Sequence, residues 1–145
     1  MKRHLILRVV TRLLVAPIFL FGLYVQFHGE YGPGGGFQAG VICAVAFILY
    51  GTVYSLRELR VHFPDWFVHR LVAFGLLLYA GTGVATMLLG GAYLDYNALG
   101  ETPKGAQVLG IIVIELGVGI TVFAVMVAIY YAFAGRPPRL DNEDW

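Results

Sequence analysis

Residues 107–133 read QVLGIIVIELGVGITVFAVMVAIYYAF, an apolar run that carries a single carboxylate, Glu115. An α-helix rises 1.5 Å per residue, so a hydrocarbon core about 30 Å thick takes roughly 20 residues, and this stretch is longer than that. It lacks the alternation of a strand, and backbone groups in lipid must be satisfied within the segment, which leaves a helix. Three further stretches, about 9–27, 37–54 and 69–89, have the same character and are separated by segments rich in Gly, Pro and charge. The chain therefore reads as an all-α integral membrane protein of four transmembrane helices, a single membrane domain over residues 1–145 with no soluble domain.

Composition agrees. Apolar residues make up 59% of the chain and charged residues 13%, against roughly 25% charged in an ordinary soluble domain. Net charge is +1, and no Lys/Arg cluster is interleaved with aromatics, so no nucleic-acid footprint is present. The single cysteine, Cys43, excludes an intrachain disulfide and a Cys-based metal cluster and reads as a small buried residue.

Orientation follows from the basic residues, which are held on the cytoplasmic side in short loops. Lys2, Arg3, Arg8 and Arg12 precede or open the first span, Arg57, Arg60 and Arg70 flank the second loop, and Arg136 and Arg139 follow the last; only Lys104 lies opposite. This pattern predicts both termini in the cytoplasm. The basic start and apolar run imitate a secretory signal, but the run is too long and no Ala-x-Ala-like site follows, so it reads as a retained first helix. Arg12 is expected to snorkel to the headgroups, and Pro17 to kink the span. Trp66, Phe67, Tyr130 and Tyr131 fit an interfacial aromatic belt. His62 and His69 suit no compact metal motif, and the tail 136–145, with Pro137 and Pro138 at its start, reads as a solvated or partner-binding end.

Glu115 stands apart chemically. A central charged residue costs about 2.5 to 3.5 kcal/mol on insertion scales, so it normally faces protein or a wet cavity, or stays protonated. Two roles are open: a proton or cation relay, or a neutral acid acting as glue between helices. Gly119, one turn later, admits a second helix beside the acid. On the third span Gly75, Tyr79, Thr82 and Thr86 form a weakly polar stripe that either lines an ion path or packs, and Gly40, Ala44 and Gly51 mark close contacts on the second. The outer segment His28-Gly29-Glu30-Tyr31-Gly32-Pro33-Gly34-Gly35-Gly36 can fold back tightly. It lacks Gly-Lys-Ser/Thr and a preceding strand, which excludes a nucleotide cradle. His28 and Glu30 either titrate at the membrane surface or form an ordinary solvated turn.

The stretch FHGEYGPGGGFQAGVICAVAFILYG, Phe27 to Gly51, resembles the B subunit of the Mrp-type (Mnh-type) multisubunit monovalent cation/proton antiporters, most specifically in PGGGFQAG. The likeness extends over nearly the whole chain in length, four-helix topology and an acid in the last span. It departs from the family pattern at Glu30, where some members carry histidine. The resemblance implies a small subunit that does not transport alone, whose partners include large antiporter-like subunits related to the membrane arm of respiratory complex I, in a cell-membrane assembly exchanging Na+ for H+. Neither a cofactor nor a resident metal is expected. The candidate ion path is Glu115 with Thr82 and Thr86, and the candidate outer motif is His28, Glu30, Pro33 and Gly34 to Gly36. An equivalent subunit of a membrane-bound hydrogenase or other redox-driven pump, and a purely structural assembly subunit, are the alternatives. An independent membrane enzyme would need a constellation of polar residues at one surface, and the sequence shows none.

Overall fold

The computed structural model describes residues 2–29, 34–100 and 102–136, which are helical and without strands. Helix α1 covers Lys2–Phe27, α2 Gly36–Val53, α3 Leu56–His62, α4 Asp65–Leu88 and α5 Pro103–Ala134, with a 3-10 turn at Tyr96–Leu99 before α5. Helices α1, α2, α4 and α5 are each long and apolar enough to cross a membrane. Three of the four extend past their apolar runs. α1 begins at Lys2 and continues through Pro17. α5 begins at Pro103, where a proline's fixed φ suits a helix start, so Lys104 belongs to its first turn and not to a loop. Pro137, Pro138 and the rest of the tail lie outside the described residues.

The short helix α3 is not among the elements expected from hydropathy. Its seven residues are too few and too polar for a span, but local chemistry specifies it. The Ser55 hydroxyl accepts a 3.2 Å hydrogen bond from the Glu58 amide as N-cap, and Arg60 and His62 occupy the last turn, where the helix dipole favours positive charge. Leu59 anchors it, 2% exposed.

In space the long helices run in the order α1, α2, α5, α4, with only a slight contact between α1 and α5. α2 is the central helix: 39% of its apolar window is buried, against 11% for α1. Lipid tails are as apolar as leucine, so helices associate here through close packing at small residues. Gly22 of α1 faces Cys43 of α2, Gly40 of α2 faces the Gly119 carbonyl of α5, and Gly75 of α4 faces Gly117 and Thr121 of α5. The large side chains outside, such as Leu13, Leu20, Leu76 and Leu77, suit hydrocarbon.

The best-packed core lies at the α3 end. Ala44, Leu59, Val68, Ala124, Val127 and Tyr131 are buried together. Phe47 meets Phe63 and Phe123 edge-on at 4.6 and 5.1 Å between centroids, the arrangement favoured by aromatic quadrupoles. The Tyr131 hydroxyl donates a 2.7 Å bond to the Phe63 carbonyl, and Arg60 lies over the Tyr131 ring while pairing with Asp65 at 3.4 Å. At the same end Arg8 and Arg12 flank the Tyr54 ring, whose hydroxyl donates to the Arg8 carbonyl at 2.9 Å.

The opposite end is uneven. The α4–α5 connection folds over its own hairpin, with the Tyr93 ring against Gly83 and the Tyr96 ring against Gly110. Burial, with Tyr79 and Tyr93 nearby, pushes the Tyr96 phenol above its ordinary range. α2 starts at Gly36, in contact with the backbone of Glu115. α5 starts twelve residues before that point, at Pro103, so its start lies about 18 Å along the helix beyond the level at which α2 starts.

Candidate functional site

This uneven height brings together two features that the sequence places apart. Glu115 lies well inside α5, three turns beyond its start, yet it is level with the glycine-rich turn between α1 and α2. A Cβ added to Gly29 would stand 3.1 Å from both carboxylate oxygens of Glu115, and one on Gly35 would stand 3.2 Å from Oε1. The acid of the last span and two described glycines of the outer loop, Gly29 and Gly35, are therefore neighbours.

Each of the three successive glycines answers a separate steric demand. Gly34 lies against the Val25 carbonyl, 2.9 Å from where its Cβ would be. Gly35 is the N-cap of α2 with φ 130°, a conformation side chains strongly disfavour, and it faces the carboxylate. A side chain on Gly36 would run into the Glu115 carbonyl oxygen. Gly35 and Gly36 thus form a backbone wall along Glu115, and the N-terminal end of α2, the positive end of its dipole, stands beside the carboxyl. Glu115 is half-buried. Along this wall the backbone of Gly29 and Gly35 stands next to the carboxyl.

Other predicted site residues fall in different places. The exposed His28 ring, next to Gly29, stacks on Tyr24 at 4.8 Å between centroids. Glu30 and Pro33 lie outside the described residues. The buried Thr82 hydroxyl donates to the Leu78 carbonyl of its own helix at 2.7 Å. Thr86, fully buried, has its hydroxyl 2.8 Å from the Gly83 carbonyl and 3.0 Å from the Ala92 carbonyl, to which it donates, and accepts from the Leu94 amide at 3.0 Å. That hydroxyl pins the turn after α4, where Gly90 and Leu94 both have positive φ. No group of three or more metal-ligating side chains occurs among the described residues.

Sequence reasoning passes over Gln26. It lies one residue before the end of α1, where an amide looks like the start of a loop, yet it is only 8% exposed and packs against Gly119. Its one sequence signal is position: an amide one turn before Gly29, within the helix that precedes the motif.

Comparison with known proteins covers most of the chain. Residues 6–128 match a family model described as a domain related to the MnhB subunit of Na+/H+ antiporters. Similar proteins include antiporter subunit mnhB2 of Staphylococcus haemolyticus, 34% identical over 92% of this chain and 96% of its own length. The mnhB2 protein of Staphylococcus aureus strain Newman has the same identity and coverage. The B subunit of the Na+/H+ antiporter of Alkalihalophilus pseudofirmus is 31% identical over 83% of this chain and 90% of its own.

Proposed function

The chain belongs to the MnhB family of Na+/H+ antiporter subunits, and on that premise we propose that it is a multi-pass subunit of a multisubunit antiporter exchanging Na+ for H+ across the cell membrane. Its partners are the other subunits of the complex, large antiporter-like ones among them, and it is a transporter component, not an enzyme in its own right. Both termini are cytoplasmic, which puts the α3 end inside and the Glu115 site toward the outer side. The named relatives are antiporter subunits, so this reading takes precedence over a hydrogenase-type complex.

Within that assembly Glu115 exchanges a proton or touches a cation, and neighbouring subunits supply the continuation of the path. The supporting observation is the lodging of its carboxyl against Gly29 and Gly35, because an acid serving only as hydrocarbon-embedded glue has no need of glycine backbone against its carboxyl. Thr82 and Thr86, whose hydroxyls are committed to nearby backbone groups, contribute to the shape of α4 and its turn, and the path centres on Glu115. The test is Glu115→Gln in the complete complex reconstituted in vesicles. Normal assembly with loss of sodium-dependent proton movement is expected. Undiminished transport would sink the relay, and loss of assembly would assign Glu115 to packing.

A further inference from the structure

At the α3 end an open pocket of about 510 Å³ lies between α3 and the C-terminal end of α5. Its lining is of two kinds: Arg57 and Arg60 are basic, and Leu56, Val61, Ala134 and Gly135 are apolar, with no carboxylate among them. The two arginines are three residues apart on one helix, so they leave the same face with Cβ atoms about 5–6 Å apart. Arg60 is held in place by packing: its guanidinium lies over the Tyr131 ring at 5.2 Å, and Nη2 is 3.3 Å from where a Cβ on Gly135 would be. Its donors are nevertheless underused. The buried Nε has no hydrogen-bond acceptor, Asp65 Oδ1 standing 3.4 Å away outside hydrogen-bond geometry. Arg57 is exposed and makes no ion pair or hydrogen bond among the described residues. Asp65 and the carbonyl end of α5 answer Arg60, which leaves the charge of Arg57 uncompensated. One anchored and one free guanidinium on the same face suit an anion with several oxygens, because each offers a planar fork of N–H donors.

We propose that this pocket binds the phosphate of an anionic phospholipid, with Arg57 and Arg60 donating to the phosphate oxygens and Leu56, Val61 and Ala134 against the start of the acyl chains. Its place in the fold decides the occupant. α2 ends at Val53, α4 begins at Asp65 and α5 ends at Ala134, so the pocket lies at the level where the apolar spans give way to headgroups. Basic pockets between membrane helices at such a level suit anionic headgroups. Val61 is 76% exposed and Phe133, next to Ala134, 69%; a lipid uses this apolar surface, and a soluble anion does not. The chain's own tail, 136–145, sets Asp141, Glu143 and Asp144 against Arg136 and Arg139, so it is largely self-neutralising and a poorer match for two guanidiniums. The inference needs only that the chain sits in a bilayer, so it stands or falls separately from the antiport reading and from the role of Glu115.

The experiment uses the complex purified with its native partner subunits, in phosphatidylcholine vesicles containing a trace of phosphatidylglycerol with a diazirine near the carboxyl end of one acyl chain. After irradiation, labelled residues are mapped by mass spectrometry. Labelling is expected at Leu56, Val61 and Ala134. It should fall several-fold when part of the phosphatidylcholine is replaced by unlabelled phosphatidylglycerol, and stay unchanged when inorganic phosphate is added to the buffer. Arg57→Gln is expected to lower it several-fold, and Arg57→Lys to lower it less. No labelling at these three residues in the wild-type complex would mean that a partner subunit covers the pocket and would overturn the proposal; that map needs no variant to fold. Labelling that unlabelled phosphatidylglycerol does not compete away, or that persists undiminished in Arg57→Gln, would show contact without headgroup recognition. Loss of labelling with inorganic phosphate would assign the pocket to a soluble anion, and labelling that appears only after removal of residues 140–145 would make the tail the occupant. Each of these results also overturns it.

Discussion

Replacing Gly36 with alanine adds one methyl group at the point where α2 meets the backbone of α5. The new carbon would stand 2.8 Å from the Glu115 carbonyl carbon and 3.1 Å from its Cα, where ordinary contacts fall at 3.4–4 Å. The obstacle is helix backbone, which cannot rotate away as a side chain can, so α2 and α5 must part. Overpacking of this kind costs about 1–3 kcal/mol. Alanine's better helix propensity returns at most about 1 kcal/mol, and less at a first helical residue. The expected net loss is about 2 kcal/mol. Gly81→Ala is the matched control, because nothing stands within 4 Å of a Cβ there; the same methyl should stabilise by about 0.5–1 kcal/mol. Thermal unfolding of the chain in mild detergent, followed by far-UV circular dichroism, should lower the Gly36→Ala midpoint by several degrees and leave Gly81→Ala at or above wild type. The reasoning fails if Gly36→Ala is as stable as Gly81→Ala, since α2 and α5 then do not touch at this level.

Gly35→Ala combines a positive φ with a Cβ 3.2 Å from Glu115 Oε1; the backbone strain costs about 1–3 kcal/mol, and sodium-dependent proton movement in vesicles should fall at unchanged pH. Tyr131→Phe removes the 2.7 Å bond to the Phe63 carbonyl and should cost about 1–2 kcal/mol in the same unfolding assay, by leaving a buried acceptor unpaired. Thr86→Val keeps the shape but loses the hydroxyl that ties Gly83, Ala92 and Leu94; hydrogen exchange should speed up at the Leu94 amide and leave the α2 amides unchanged. Thr82→Val loses only a bond within its own helix, so transport by the complex should remain near wild type.

Several elements were legible because their signals are local. Four spans follow from length and apolar content, and the first-turn proline of α5 and the Ser55 cap of α3 are visible once a helix is placed after each. Glu115 and Gly34 to Gly36 also stood out in the sequence, the first from the cost of an acid in hydrocarbon and the second from the backbone freedom of glycine. Thr86 was ambiguous, since a buried threonine on a helix face looks the same in sequence whether it lines a path or closes a turn. Gln26 gave almost no signal, because its burial depends on α5 passing beside it.

By itself the amino-acid sequence determined that the chain has four helices built to cross a membrane, since span length, apolar content and backbone satisfaction are properties of each segment alone. Only the tertiary structure decided that α2 is central, that α5 starts well beyond the level of the start of α2, and that Glu115 consequently meets Gly29 and Gly35. The register of α2 against α5 is set by where glycines allow the backbones to touch, as Gly36 and Gly40 do on α5. That contact is a relation between helices far apart in the chain, and no single segment carries it.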